Sequence, residues 1–113
     1  SIYCAIEGLI FALKTEKNYK YYIVINIIFF LLDLFVFKID KSGWLAFVVT
    51  SAAVYGMECI NTSIEHISDF ISEDVHPEIK VIKDMGAAGV LCFGIAFFAV
   101  QIIECINYLG VVL

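Results

Sequence analysis

The sequence predicts an all-α integral membrane protein of one domain, residues 1–113, with three transmembrane helices preceded by an amphipathic surface helix. Three observations predict it. The chain is 62% hydrophobic with a mean hydropathy of +0.94, whereas an ordinary soluble domain is about half apolar. The apolar residues fall in long runs rather than in strict alternation. Short charged segments with Gly or Pro separate those runs. A water-soluble core is a poor alternative, because so short a chain lacks the polar surface to cover it.

Residues 1–17 form the first element. Ile2, Ile6, Leu9, Ile10 and Leu13 recur at helical spacing, with Glu7, Lys14 and Lys17 elsewhere on the wheel. Such a helix lies along the membrane interface or packs on the spans, and Glu7 on it serves solvation or, as the sharper alternative, a nucleotide contact. It has neither the charged start nor the cleavage site of a signal peptide, and the missing initiator Met suggests a trimmed start.

Residues 19–37 form the first span, with Tyr19, Tyr21 and Tyr22 expected at one end as an aromatic belt. Asn26 within it is expected to hydrogen-bond to another helix. A turn, Lys38–Gly43, follows. The second span, 44–70, opens on Trp44, is apolar to about Asn61 and continues as a polar extension into the cytoplasm. Ser72–Pro77 is a loop and Glu78–Asp84 a short charged turn. The third span, 85–109, enters through Gly86-Ala87-Ala88-Gly89, whose small side chains let backbones approach closely. Ala52 and Gly56 make a similar pair in the second span. Asp33 and Glu104 sit in apolar runs, where a carboxylate either marks function or snorkels from a span end.

Charge sets orientation and excludes one class of partner. Lys14, Lys17, Lys20, Lys80 and Lys83 fall on one side of the spans, and Lys38 and Lys41 on the other. The lysine-rich side, with the N-terminus, is expected in the cytoplasm. The net charge is -5 and the lysines form no basic stripe, so nucleic acid is not a partner. Cys4, Cys59, Cys92 and Cys105 make no CxxC pair and read as small buried hydrophobes.

Chemistry concentrates after the second apolar run. Glu58, Asn61, Glu65 and Asp69 step by three, four and four, which places three carboxylates and an amide on one helix face. Like charges at that spacing repel, and near hydrocarbon they are costlier still. A divalent cation such as Mg²⁺, or a lysine, would neutralise them. Lys83, followed by Asp84, suits charge on a triphosphate. Glu16 lies at the same membrane edge as Glu65. His66 and His76 are expected in solvated or capping roles, since Mg²⁺ prefers oxygen. The bland alternative is that the stripe is only the wetted end of a span. Gly89 and Gly94 imitate a phosphate loop in spacing but lack its Lys and Ser/Thr, and read as packing.

The pattern Glu58-x-x-Asn61-Thr62-x-x-Glu65-x-x-x-Asp69, then Lys83-Asp84-x-x-Ala87-Ala88, with Glu16 and Asn18 upstream, resembles the prokaryotic diacylglycerol kinase family. The resemblance implies a homotrimeric lipid kinase of the bacterial inner membrane, with its active sites at the cytoplasmic interface. It implies Glu58 as the base that takes the lipid hydroxyl proton, with Asn61 beside it. It further implies Glu16 and Glu65 as the Mg²⁺ ligands, Glu16 also facing the nucleotide, and Asp69, Lys83 and Asp84 as contacts to ATP. Glu16-Lys17-Asn18, Asn61-Thr62 and the His76-Pro77 loop look more like the Gram-positive branch, which implies undecaprenol rather than diacylglycerol as acceptor. A membrane oligomer that conducts cations through the same stripe is the reading of another class.

Overall fold

The computed structural model describes residues 1–110. Four α-helices account for most of them: α1 Ile2–Thr15, α2 Lys17–Leu31, α3 Lys41–Ile71 and α4 Pro77–Tyr108. A π-helical segment, Leu32–Phe37, prolongs α2. Three of these stretches, Lys17–Phe37, Lys41–Ile71 and Pro77–Tyr108, are long and apolar enough to cross a membrane. At roughly 1.5 Å per residue, the 31 and 32 residues of α3 and α4 run to about 47 Å, well beyond a bilayer's hydrocarbon. Both therefore project out of it, and the excess carries the polar stripe.

Each boundary has a local cause. Glu16 alone adopts an extended conformation (φ -93°, ψ 124°) and separates α1 from α2. The first span ends where Lys38 turns left-handed (φ 48°), and the Asp33 carbonyl accepts the backbone N–H groups of both Lys38 and Ile39. Asp40 caps α3, its Oδ1 accepting from the Gly43 N–H at 2.9 Å, so that helix starts ahead of Trp44. The segment Glu78–Asp84 is helical, not a turn. Pro77 at the first helical position presets φ and gives up only an N–H that would be unpaired anyway. Glu78 then faces the positive end of the helix, and Lys80 bonds Asp84 one turn on at 2.6 Å.

α3 and α4 pack as the main hairpin. The small entry of the third span works as its composition predicts: a Cβ on Gly86 would stand 2.6 Å from Asn61 Oδ1, and one on Gly89 2.5 Å from Met57 Cε. Ala52 and Gly56 behave differently. Both are exposed, and a Cβ on Gly56 would meet nothing within 4 Å, so this pair brings no helices together within the chain. Phe47, Val54 and Phe97 fill the middle of the bundle, with Phe29 packing edge-on against Phe97.

Polar groups hold much of the interior. Ser51, Glu58, Asn61, Thr62 and Ser68 of α3 are buried, along with Asp33 and Gln101. Asn26 donates to Ser51 at 3.3 Å, the interhelical bond expected of it. Asp33 does not snorkel: it has no exposed surface and accepts from Gln101 Nε2 at 3.0 Å. Large apolar side chains such as Ile27, Leu45, Leu91 and Ile95 lie on the outside, as lipid-facing residues do.

Candidate active site

Glu58 is the centre of the site and is 2% exposed. α3 presents it to α2, where two side chains one helical turn apart receive it. Asn18 Nδ2 donates to Glu58 Oε1 at 2.9 Å, and the Tyr22 hydroxyl donates to Oε2 at 3.2 Å. Each carboxylate oxygen therefore has one protein donor, which offsets part of the desolvation cost of burying it.

An aromatic latch holds the two helices at this point. Tyr19 is fully buried and stacks on Tyr55 of α3, with ring centroids 5.7 Å apart and planes 7° from parallel. Its hydroxyl donates to the Tyr55 carbonyl at 2.8 Å and lies 2.7 Å from Cys59 Sγ. Tyr22 meets both rings edge-on. The expected aromatic belt is thus only partly formed: Tyr21 faces outward, while Tyr19 and Tyr22 turn in against α3. Among the described residues every cysteine is free. Cys4 and Cys92 are exposed and Cys59 and Cys105 half-buried, so the expectation of buried cysteines is corrected.

Further along α3, Asn61 Nδ2 approaches Glu65 Oε1 at 3.4 Å, while Asn61 Oδ1 is buried without a partner. Lys83 of α4 pairs with Asp69 of α3 at 2.5 Å. Asp84 pairs with Lys80 and not with its sequence neighbour Lys83. Adjacent positions on a helix point about 100° apart. Lys80, Lys83, Asp84, His76 and Asp74 line an open cavity of about 240 Å³ beside the α3–α4 loop. His76 is the residue before Pro77 and makes no side-chain capping bond.

Glu16 stands at the α1–α2 break with the exposed His66 Nε2 at 3.9 Å, beyond hydrogen-bond reach, so His66 keeps the solvated setting expected of it. Among the described residues no three His, Cys, Asp or Glu side chains gather into a metal cage. Glu16 and Glu65 are oxygen donors whose contacts within the chain are long, and Mg²⁺ is commonly held by one or two carboxylates plus phosphate oxygens and water.

Tyr19 and Tyr22 are the site residues that sequence reasoning missed. A signal existed: Asn18, Tyr22 and Asn26 recur every four residues, a polar line down an otherwise apolar span. All three bond α3.

The chain is similar to known proteins. Undecaprenol kinase of Bacillus subtilis (strain 168) is 28% identical over 86 residues, which span 73% of this chain and 66% of that protein. No solved structure matches the chain. The sequence model described as prokaryotic diacylglycerol kinase matches residues 3–105, which takes in α1, the carboxylate stripe on α3 and the Lys83–Asp84 pair. With that match running through every element of the site, the chain belongs to the prokaryotic diacylglycerol kinase family.

Proposed function

We propose that the protein is a membrane lipid kinase that transfers the γ-phosphoryl group of ATP to the hydroxyl of undecaprenol. The observation that carries this reading is Glu58, a carboxylate buried near the polar end of a span and held by donors on both oxygens. A base for a lipid alcohol must sit where the headgroup sits and must keep a lone pair free.

In the proposed reaction the lipid oxygen attacks the γ-phosphorus as its proton passes to Glu58. The bond from the γ-phosphorus to the β–γ bridging oxygen breaks, and ADP leaves. Asn61 sits one turn beyond the base, its Oδ1 buried without a partner in the seam against Gly86. Lys83, steered by Asp69, meets phosphate charge from the α4 side, and Asp84 with Lys80 lines the nucleotide cavity. Glu16 and Glu65 would hold Mg²⁺. When bound, that ion supplies charge neutralisation on the phosphates.

The name of the Bacillus subtilis relative supports undecaprenol as the acceptor, and the family name keeps diacylglycerol as the runner-up. The lysine distribution supports a cytoplasmic site in a bacterial inner membrane. The uncovered Ala52–Gly56 face supports the homotrimer implied by family resemblance, since small residues let helices of different subunits approach closely. The test is purified protein in lipid nanodiscs with Mg-ATP and the two lipids in parallel. Phosphorylated undecaprenol is expected to dominate. A clear preference for diacylglycerol overturns the acceptor, and no lipid product at all overturns the kinase reading in favour of a non-enzymatic oligomer.

A further inference from the structure

We infer that Tyr22 is a positioning residue for phosphoryl transfer: its hydroxyl fixes the direction in which the Glu58 carboxylate presents its free lone pair. The inference rests on the kinase reading above and gives the Tyr22 hydroxyl a role in turnover that this reading leaves unassigned.

The geometry begins with an i,i+4 pair. Asn18 and Tyr22 lie on one face of α2, one turn apart, and reach the same carboxylate from the same side. A carboxylate held at one oxygen still swings about its terminal torsion, which is broad. Held at both oxygens by groups on one rigid helix, it has a single orientation. Each oxygen accepts one protein donor, which leaves each a lone pair for the acceptor hydroxyl. Asn18 alone gives the first constraint, and Tyr22 completes it.

Tyr22 is itself locked. Its ring packs edge-on against Tyr19 and Tyr55, with centroids 6.3 Å away in both cases. Tyr55 precedes Glu58 by one turn on α3, so the tyrosine is braced on the helix that bears the base. The 3.2 Å oxygen–oxygen distance is long for such a bond. Contacts of this kind tighten when substrates bind.

Tyr22 has a second neighbour that makes the test discriminating. With Ile25, Asn26, Val54 and Phe97 it lines a cavity of about 70 Å³ between the spans. If the ring served only as a wall for the acceptor's chain, its loss would weaken lipid binding. If the hydroxyl aims the base, its loss slows turnover and leaves binding intact.

The experiment compares the wild type with Tyr22→Phe and Asn18→Ala as full chains in nanodiscs, with ATP and undecaprenol each varied. Rates are normalised to the folded fraction, read from nucleotide-binding stoichiometry. Tyr22→Phe keeps the ring, and Asn18 is exposed and outside the aromatic packing. Each variant is expected to lower kcat by about tenfold, the scale of one hydrogen bond to a charged group, with both KM values within about twofold. An unchanged kcat in Tyr22→Phe, or a raised lipid KM with kcat intact, overturns the inference. If Tyr22→Phe does not fold, an unchanged kcat in Asn18→Ala overturns it instead. Wild type that phosphorylates no lipid overturns the kinase reading itself, a result distinct from both.

Discussion

Glu58 concentrates the chemistry of the protein because it is an acid deprived of water. Glu58→Gln keeps its volume and removes its capacity to take a proton. The variant is expected to fold and to lose about two to four orders of magnitude in kcat, as removal of a general base does. Steady-state kinetics on a variant of unaltered thermal midpoint checks this. Lys83 acts on the nucleotide side, where Asp69 pulls its ammonium across from α4 to α3. Lys83→Met is expected to raise the ATP KM at least about tenfold, consistent with the 1.5–3 kcal/mol of a charged hydrogen bond, and to leave the lipid KM alone. An unchanged ATP KM would remove Lys83 from the site. Glu58, Asn61, Glu65 and Asp69 share a face in the sequence because all four belong to one helix. Tyr22 and Tyr19 were not legible in the same way. Which way a tyrosine near a span end points depends on a partner on another helix, here Tyr55, more than thirty residues away.

α3 and α4 owe their close approach to single atoms. Gly86 leaves room for Asn61 Oδ1 at 2.6 Å from where a Cβ would stand, so Gly86→Ala must push the amide or part the helices. A loss of about 1–3 kcal/mol, typical of overpacking, is expected in denaturant unfolding. Gly94→Ala is the control, since its Cβ would meet nothing within 4 Å, and it should be tolerated. Helix ends carry the other local devices. Asp40→Ala removes the cap on α3 and is expected to cost about 0.5–2 kcal/mol in the same measurement. The four helices were legible because apolar runs of that length leave few alternatives. The start of α4 was not: its charges resemble a loop until one sees that Lys80 and Asp84 pair along a helix begun by Pro77.

The molecule as a whole departs from the soluble pattern: buried polar side chains such as Glu58 and Asn61 stand beside an apolar core of Phe47, Val54 and Phe97, while many large apolar side chains face outward. Within one chain the Ala52–Gly56 ridge touches nothing, and this is where association is expected. In the proposed homotrimer, Gly56→Ile should leave the helices intact and shift cross-linked oligomer towards smaller species, whereas an unchanged distribution would place any subunit contact elsewhere. The proposed homotrimer rests on family resemblance and on this uncovered face, because no intrachain contact encodes it. The buried Asp33–Gln101 pair was likewise hidden, since sequence alone cannot tell an acid facing a glutamine from one reaching for water. One junction ties the protein to the thickness of its surroundings. Glu16 is the lone extended residue between α1 and the first span. With α1 resting at the membrane interface, as its sequence suggests, the depth of that helix would set the height of a carboxylate, and a membrane of shorter acyl chains would move it as a lever moves its tip. Turnover measured across phosphatidylcholines of graded chain length should pass through an optimum, and a flat profile would show the lever to be slack.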